Sequence, residues 1–183
     1  CSQEGAVYLE VGVYAGSTFC AAVQNNDMVA AYANDNWSQP NLQPAREDIN
    51  LLLEDVTVDT FVQNLQENIT TDSLDFDIQV LNGDSSKLGK KDFTHNVNII
   101  FYDGDNSEQK MREFFINMID FTEDVFTLVV DDANIEENVA ITKRFIDAMG
   151  LKILYERELL NDQEDVDMWW NGLYVVVLSK STL

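Results

Sequence analysis

The chain has 183 residues, a length that fits one domain (residues 1–183), and its apolar content of 45% is enough for a sizeable core. Its 33 acidic against 11 basic side chains give a formal net charge of -22, which disfavours binding to nucleic acids and to anionic membrane surfaces. No apolar run approaches the ~18–20 residues that a membrane span needs, so we expect neither a nucleic acid nor a membrane as partner.

Short runs of β-branched and aromatic residues alternate with helical patterns, which is typical of a βαβ architecture. Seven strands are predicted, at Ala6–Val11, Met28–Ala33, Phe76–Leu81, Val97–Tyr102, Val125–Val130, Leu151–Glu156 and Leu173–Leu178. Several of these runs are almost continuously apolar, as expected for strands that helices cover on both faces. The sequence therefore predicts an α/β fold.

Helical patterns with apolar stripes lie between the predicted strands. The stripes are Ile49, Leu52 and Leu53 after Pro44; Phe61, Leu65 and Ile69 after Asp59; Met111, Phe114, Phe115 and Met118 after Asn106–Ser107; and Ile135, Val139, Phe145, Ile146 and Met149 before Gly150. The spacing of Asn134 and Glu137 is that of a capping box. The segment Leu159–Gly172 has no helical stripe, so we expect the last two strands to form a hairpin.

The cysteine content bears on the compartment. Two cysteines, Cys1 and Cys20, do not make a disulfide framework, and no signal peptide is visible. We therefore expect a reducing, cytoplasmic environment.

The first candidate site is the turn that follows the first strand, Glu10-Val-Gly-Val-Tyr-Ala-Gly-Ser17. Glycines at such a turn let the backbone bend sharply and approach a ligand closely, and the helix that follows adds N–H donors. Glycine turns also follow strands for packing reasons alone, so this motif is weak when taken by itself.

Polar motifs also follow the second and third strands. Asp35 comes at the end of the second strand, where an acid can accept hydrogen bonds from two ribose hydroxyls. Asn82-Gly-Asp-Ser85 follows the third strand and could meet the edge of a purine. All three motifs lie at the carboxyl ends of strands, where open α/β sheets bind ligands.

Two further motifs complete a pattern that covers nearly the whole chain. The five motifs are Glu10–Ser17, Tyr32–Trp37, Gly83–Ser85, Asp103–Asn106 and Val130–Asp132. Together they resemble class I S-adenosylmethionine-dependent methyltransferases, above all the branch whose fourth strand is followed by Asp-Gly-Asp-His. The resemblance implies a Rossmann-like, doubly wound, seven-stranded sheet of order 3-2-1-4-5-7-6, mostly parallel with an antiparallel last strand.

The same resemblance implies S-adenosylmethionine as cofactor. It assigns cofactor binding to Glu10, Gly12, Gly16, Ser17, Asp35, Trp37, Asp84 and Ser85. The residues of the first turn would line the methionine and ribose part, Asp35 would hold the ribose hydroxyls, and Asp84 with Ser85 would face the adenine.

Acidic residues after the fourth and fifth strands form a second candidate site. In the sheet order of the family these strands are neighbours, so Asp103, Asp105, Asp131 and Asp132 are expected to converge. Asp103, Asp131 and Asp132 resemble the magnesium ligands of catechol-type O-methyltransferases, where Mg2+ or another divalent cation lowers the pKa of the acceptor hydroxyl. The alternative is that these acids only cap helices.

Other conspicuous side chains are expected to have no catalytic role. His95, the only histidine, precedes the fourth strand whereas Asp103 follows it, which puts them ~25 Å apart at ~3.3 Å per residue. Trp169 and Trp170 are interpreted as packing residues of the terminal hairpin.

The expected activity is methyl transfer to a small-molecule acceptor, at a hydroxyl oxygen. Asp103 would accept the proton of this hydroxyl, or a bound cation would lower its pKa. A non-catalytic cofactor-binding or interaction domain is the alternative, because Asn106 replaces the family's histidine and the family's helices ahead of the first strand are not seen. A third hypothesis is an NAD-dependent oxidoreductase, which shares the glycine turn and the acid after strand two; Asp84 and the terminal hairpin argue against it. The sequence indicates no oligomeric state.

Overall fold

The computed structural model describes residues 4–38, 56–69, 75–161 and 171–180 of the chain. The helix predicted after Pro44, with Ile49, Leu52 and Leu53, lies outside these residues, and so do Trp169 and Trp170.

Seven strands form one sheet of order β3-β2-β1-β4-β5-β7-β6. The strands are β1 (Ala6–Val11), β2 (Met28–Asp35), β3 (Asp77–Asn82), β4 (Val97–Tyr102), β5 (Thr122–Val130), β6 (Lys152–Leu159) and β7 (Leu173–Ser179). The five neighbouring strands β3, β2, β1, β4 and β5 pair in parallel, whereas β7 pairs antiparallel with both β5 and β6. This confirms the predicted sheet, its order and the terminal hairpin.

In the described residues, four α-helices connect the strands: α1 (Ser17–Val23), α2 (Val58–Asn68), α3 (Glu108–Met118) and α4 (Glu136–Ala148). Two short 3-10 helices, Ser85–Lys87 and Lys90–Asp92, lie between β3 and β4. α2 begins at a capping box in which Thr57 and Thr60 exchange side-chain to backbone hydrogen bonds. Within the described part of the chain, no helix is long and apolar enough to cross a membrane.

The sheet has a buried cluster of side chains on each face, as expected for a doubly wound fold. Leu9 and Ile100 point to one face and pack with side chains of α3 and α4, such as Phe114 and Phe145. The other cluster contains side chains of β1, β2, α1 and α2. All six residues of β1 are buried, so the strand that precedes the glycine turn lies at the centre of the molecule.

The structure corrects one local prediction, the capping box of Asn134 and Glu137. α4 begins after Ile135, whose side chain makes no cap, and the Asn134 side chain instead exchanges two hydrogen bonds with the backbone of Asn161. Ile135 is 52% exposed and does not belong to the apolar stripe of α4. The spacing is that of a capping box, but the β6–β7 connection offers Asn134 a different partner.

Candidate functional site

The loops that follow β1 to β5 lie at the carboxyl ends of these parallel strands, at one end of the sheet, which we call the rim. Four non-glycine residues of the described chain have a positive φ, and three of them lie on the rim: Tyr14 (46°), Trp37 (42°) and Asp132 (56°). Such backbone conformations are strained for residues with a side chain, and they persist where the surrounding structure enforces them. The rim is therefore the part of the fold where strain is concentrated.

Both glycines of the first turn are required by their surroundings. Gly12 has a φ of 86°, and a Cβ on it would lie 1.8 Å from the carbonyl oxygen of Asp103. Gly16 has a φ of 90°, and its Cβ would lie 2.8 Å from Cδ2 of Phe61 in α2. The turn is thus confined between the end of β4 and α2, and only glycine fits at these two positions.

Glu10 lies beneath the turn rather than on the surface of the rim. The residue is 0% exposed, and its two carboxylate oxygens accept hydrogen bonds of 2.5 Å from the hydroxyls of Tyr8 and Thr18. Burial raises the pKa of Glu10 to about 7, against the lowering effect of these two hydrogen bonds. In the structure, Glu10 ties β1 to the first turn of α1, in which Ser17 is exposed.

Asp35 connects the ends of β1 and β2. Its Oδ2 accepts a hydrogen bond of 2.8 Å from the backbone N–H of Tyr14, and its Oδ1 accepts one of 2.8 Å from the backbone N–H of Trp37. The indole of Trp37 donates to the carbonyl oxygen of Tyr14 at 3.0 Å. Asp35 and Trp37 thus meet the glycine turn, as the resemblance implies for a shared site.

Asp84, which is predicted to face the adenine, is directed towards α3. Asp84 accepts a hydrogen bond of 2.5 Å from Nζ of Lys110 and one of 2.9 Å from the backbone N–H of Ser86. The bond from Lys110 is the main reason that the pKa of Asp84 falls to about 2. Ser85 is the first residue of the 3-10 helix that Asp84 caps. Any ligand that contacts Asp84 therefore meets an ion pair.

The acids after β4 and β5 do come together, as the sheet order predicts. The pKa of Asp103 is raised to about 8, mainly by burial and then by the charges of Asp131 and Asp132, followed by those of Glu10 and Asp35. Burial also raises the pKa of Asp131. Asp103 is half-buried and lies in a region of concentrated negative charge, and its pKa is therefore close to the physiological range.

The structure does not support the predicted metal site of Asp103, Asp131 and Asp132. The described residues contain no group of three or more His, Cys, Asp or Glu side chains placed to hold a metal ion. Oδ2 of Asp132 accepts a hydrogen bond of 2.6 Å from the side-chain amide of Asn106, and Asp105 accepts one from the backbone N–H of Ser107. The carboxylates share an electrostatic field, but they do not converge on one point.

Sequence reasoning missed four side chains that hold the site in place. They are Tyr8, Thr18, Asn64 and Lys110. The side chain of Asn64 donates a hydrogen bond of 2.9 Å to the carbonyl oxygen of Ala15. Only Tyr8 carried a signal, because residues two apart in a strand point to the same face. His95 is exposed and lies ahead of β4, at the opposite end of the sheet from Asp103.

Comparison with known proteins shows the fold. No protein-family model matches the chain, and no curated protein matches it. Among solved structures, M. capricolum TrmK bound to S-adenosylhomocysteine has a TM-score of 0.60 and 14% identity, over 98% of this chain and 64% of that one. An rRNA methylase from Streptococcus thermophilus has a TM-score of 0.53 and 9% identity, over 98% and 89%.

Two further structures show how widely this fold is used. The small RNA methyltransferase HEN1 has a TM-score of 0.62 and 7% identity, over 99% of this chain and 24% of that one. The precorrin-6y C5,15-methyltransferase from Geobacter metallireducens has a TM-score of 0.61 and 12% identity, over 98% and 82%. These similarities confirm the predicted Rossmann-like fold.

The same comparisons correct the expectation of a small-molecule acceptor and of no nucleic acid as partner. By their names, the rRNA methylase and HEN1 act on RNA, so a chain of this fold is not restricted to small molecules. The physical reason for the error is that the net charge sums over the whole surface. At physiological salt, charges are screened beyond about 8 Å, so binding depends on the charges close to each phosphate.

Proposed function

We propose that the protein is an S-adenosylmethionine-dependent methyltransferase that binds its cofactor at the rim. The observation that carries the proposal is the joining of the glycine turn to Asp35, whose carboxylate meets the turn at Tyr14 N with a distance of 2.8 Å. Gly12 brings the turn against the backbone of Asp103, which follows β4, and the charge of Asp35 acts on the Asp103 carboxyl. Of the three hypotheses from the sequence, this one uses all of these residues.

The residues of the rim fit this cofactor. Two glycines let the turn pack against the end of β4 and against α2, which fixes its backbone at the rim. Asp35 uses one hydrogen bond on each carboxylate oxygen, which leaves acceptor capacity for the hydroxyls of a ribose. The cofactor carries a sulfonium and an ammonium, and the carboxylates around Asp103 supply the opposite charge.

The chemistry requires little from the protein beyond alignment and removal of an acceptor proton. The bound cofactor supplies an electrophilic methyl group. Asp103 is the group best placed to accept the proton, since it is half-buried at the rim and its pKa of about 8 is close to the working pH, as an efficient general base requires. Asn106, which stands beside Asp132, has no basic function and positions that carboxylate.

For the acceptor we propose RNA. Two of the similar structures carry RNA in their names, and the chain has a segment where phosphates could bind in spite of the net charge. The segment between β3 and β4, residues 85–96, holds three lysines against one aspartate. Lys87, Lys90 and Lys91 are exposed. The segment begins directly after Asp84 on the rim and runs to the start of β4 at the opposite end of the sheet, so Lys87 is the lysine nearest to the rim along the chain.

Three measurements test the proposal. Calorimetry with S-adenosylhomocysteine, against a nicotinamide dinucleotide as control, tests the cofactor. Transfer of a radioactive methyl group from S-adenosylmethionine to a total RNA pool tests the activity, with loss of the label on ribonuclease digestion as the expected result. Asp103→Asn is expected to lower the transfer rate by roughly 100-fold or more, as for a removed general base, while cofactor binding persists.

The acceptor is tested separately with charge variants. Lys87→Gln/Lys90→Gln/Lys91→Gln should weaken RNA binding and reduce the dependence of log K on log salt by roughly 0.7 per lost contact. Lys152→Gln, at the start of the edge strand β6, is the control and should change neither the affinity for RNA nor its salt dependence. Cofactor binding without any labelled RNA would contradict the RNA proposal and favour the non-catalytic alternative. Absence of cofactor binding would contradict the enzyme proposal itself.

A further inference from the structure

The glycine turn owes its conformation to hydrogen bonds from other elements. The backbone N–H groups of Gly12 and Val13 both donate to the carbonyl oxygen of Asn34, at 2.8 and 3.2 Å. The N–H of Tyr14 donates to Asp35, and its carbonyl oxygen accepts from the indole of Trp37. The end of β2 therefore fixes the turn over three consecutive residues.

Trp37 is held in turn by the core. Its backbone N–H is bound by Asp35, and its ring packs against Phe61 of α2 with 5.8 Å between the ring centroids. Phe61 is fully buried, and the same ring confines Gly16 at the far end of the turn. The indole thus connects a fixed element of the core to the middle of the turn.

The bond between Trp37 and Tyr14 joins two strained residues. Both have a positive φ, 46° for Tyr14 and 42° for Trp37, which side chains disfavour. A turn that is strained in this way relaxes unless its neighbours hold it. The hydrogen bond of 3.0 Å from the indole reaches the peptide group that follows the strained Tyr14, where it opposes that relaxation.

We propose that Trp37 is a positioning residue, which holds the glycine turn in its binding conformation before the cofactor arrives. The inference rests on the proposed function, since it concerns the affinity of the same site. It differs from the role that the resemblance gives Trp37, because it acts through the indole N–H and Tyr14 rather than through contact with the cofactor. Preorganisation of this kind raises affinity by lowering the cost of ordering the site on binding.

The test is Trp37→Phe, which removes the N–H donor and keeps an aromatic ring against Phe61. Loss of one hydrogen bond should weaken binding of S-adenosylhomocysteine about 3- to 10-fold in calorimetry. Without any cofactor, hydrogen exchange at the Tyr14 amide should become faster, because the turn opens more often. Under turnover, KM for S-adenosylmethionine should rise while kcat is unchanged, a split that a purely structural role would not produce.

The matched control is Asn26→Ala. It removes a bond of the same type, from a side-chain amide to the carbonyl oxygen of Ala22 at 2.8 Å, in the turn between α1 and β2 at the opposite end of the sheet. This variant should leave cofactor affinity and exchange at Tyr14 unchanged. If Trp37→Phe does not fold, Asn64→Leu tests the same turn, because Asn64 holds the carbonyl oxygen of Ala15.

The outcomes separate this inference from the proposed function. If the wild-type protein binds S-adenosylhomocysteine and Trp37→Phe binds it equally well with unchanged exchange at Tyr14, the positioning role is wrong and the proposed function stands. If the wild-type protein binds no cofactor, the proposed function fails and the inference fails with it.

Discussion

Gly12 faces the carbonyl oxygen of Asp103 so closely that a Cβ at position 12 would lie 1.8 Å from it. The contact joins the turn after β1 to the end of β4, where the backbone N–H of Asp103 also donates to the carbonyl oxygen of Val11 at 2.8 Å. Because the obstacle is backbone in the middle of the sheet, neither side can move aside cheaply.

Gly12→Ala should therefore destabilise the protein and abolish cofactor binding. We expect a loss of about 2–4 kcal/mol, from the overlap and from the strain of a φ of 86° in a residue with a side chain. Urea denaturation measures the loss. Gly89→Ala is the control, since its Cβ would meet nothing within 4 Å. The free energy of unfolding of this variant should lie within about 0.5 kcal/mol of the wild-type value. Equal stability of both variants would show that the turn is not confined as described.

The strands show how far the sequence alone could predict the fold. β1 and β4 have the predicted bounds, because each is a mostly apolar run, flanked by Gly5 and Gly12 in β1 and by Asn96 and Asp103 in β4. β5 begins at Thr122 instead of Val125, since the exposed Glu123 and Asp124 conceal its start, and β6 extends to Leu159 because an edge strand tolerates exposed charges.

The site could be predicted less completely than the sheet. Gly12 and Asp35 are visible in the sequence, because their positions at strand ends carry the signal. The roles of Thr18, Asn64 and Lys110 depend on contacts between elements, which no local pattern encodes. Asp84 shows the consequence: its position is that of a ligand-facing acid, but Lys110 of α3 engages it.

Two variants of Asp35 remove its hydrogen bonds to the turn in different degree. Asp35→Ala removes both backbone hydrogen bonds and the acceptor for the ribose, so the affinity for S-adenosylhomocysteine should fall roughly 10- to 150-fold. Asp35→Asn keeps one oxygen acceptor, so its affinity for S-adenosylhomocysteine should fall less than that of Asp35→Ala. Calorimetry measures both affinities, and unchanged binding by Asp35→Ala would remove Asp35 from the site.

The stability of the cofactor-free protein should fall as the pH rises from 5 to 9. Burial raises the pKa of Glu10 to about 7 and that of Asp103 to about 8, well above the ordinary values near 4. The folded state therefore binds these two protons more tightly than the unfolded state does, and its stability decreases between the unfolded and the folded pKa. We expect a decrease of a few kcal/mol, measured by urea denaturation at each pH.

Asp103→Asn isolates the larger of these two effects. The variant removes a charge that is buried among other acids, so it should be more stable than the wild type at pH 8 and nearly equal to it at pH 5. Asp77→Asn, which changes an exposed acid at the start of β3, is the control and should keep the wild-type pH dependence. A wild-type slope in Asp103→Asn would show that this carboxyl does not titrate as described.

The last prediction concerns divalent cations. Since the described residues bring no ligand set together around Asp103, Mg2+ should raise the melting temperature no more than Na+ does at equal ionic strength. Both salts should stabilise the protein to some degree, because a net charge of -22 repels itself and any salt screens that repulsion. An ion that bound the folded state specifically would add stabilisation by mass action beyond this screening. The comparison is made by thermal denaturation of the wild type and of Asp131→Asn/Asp132→Asn, which should respond alike to both salts. A Mg2+-specific increase that is present in the wild type and lost in the double variant would contradict the structure and restore the metal site.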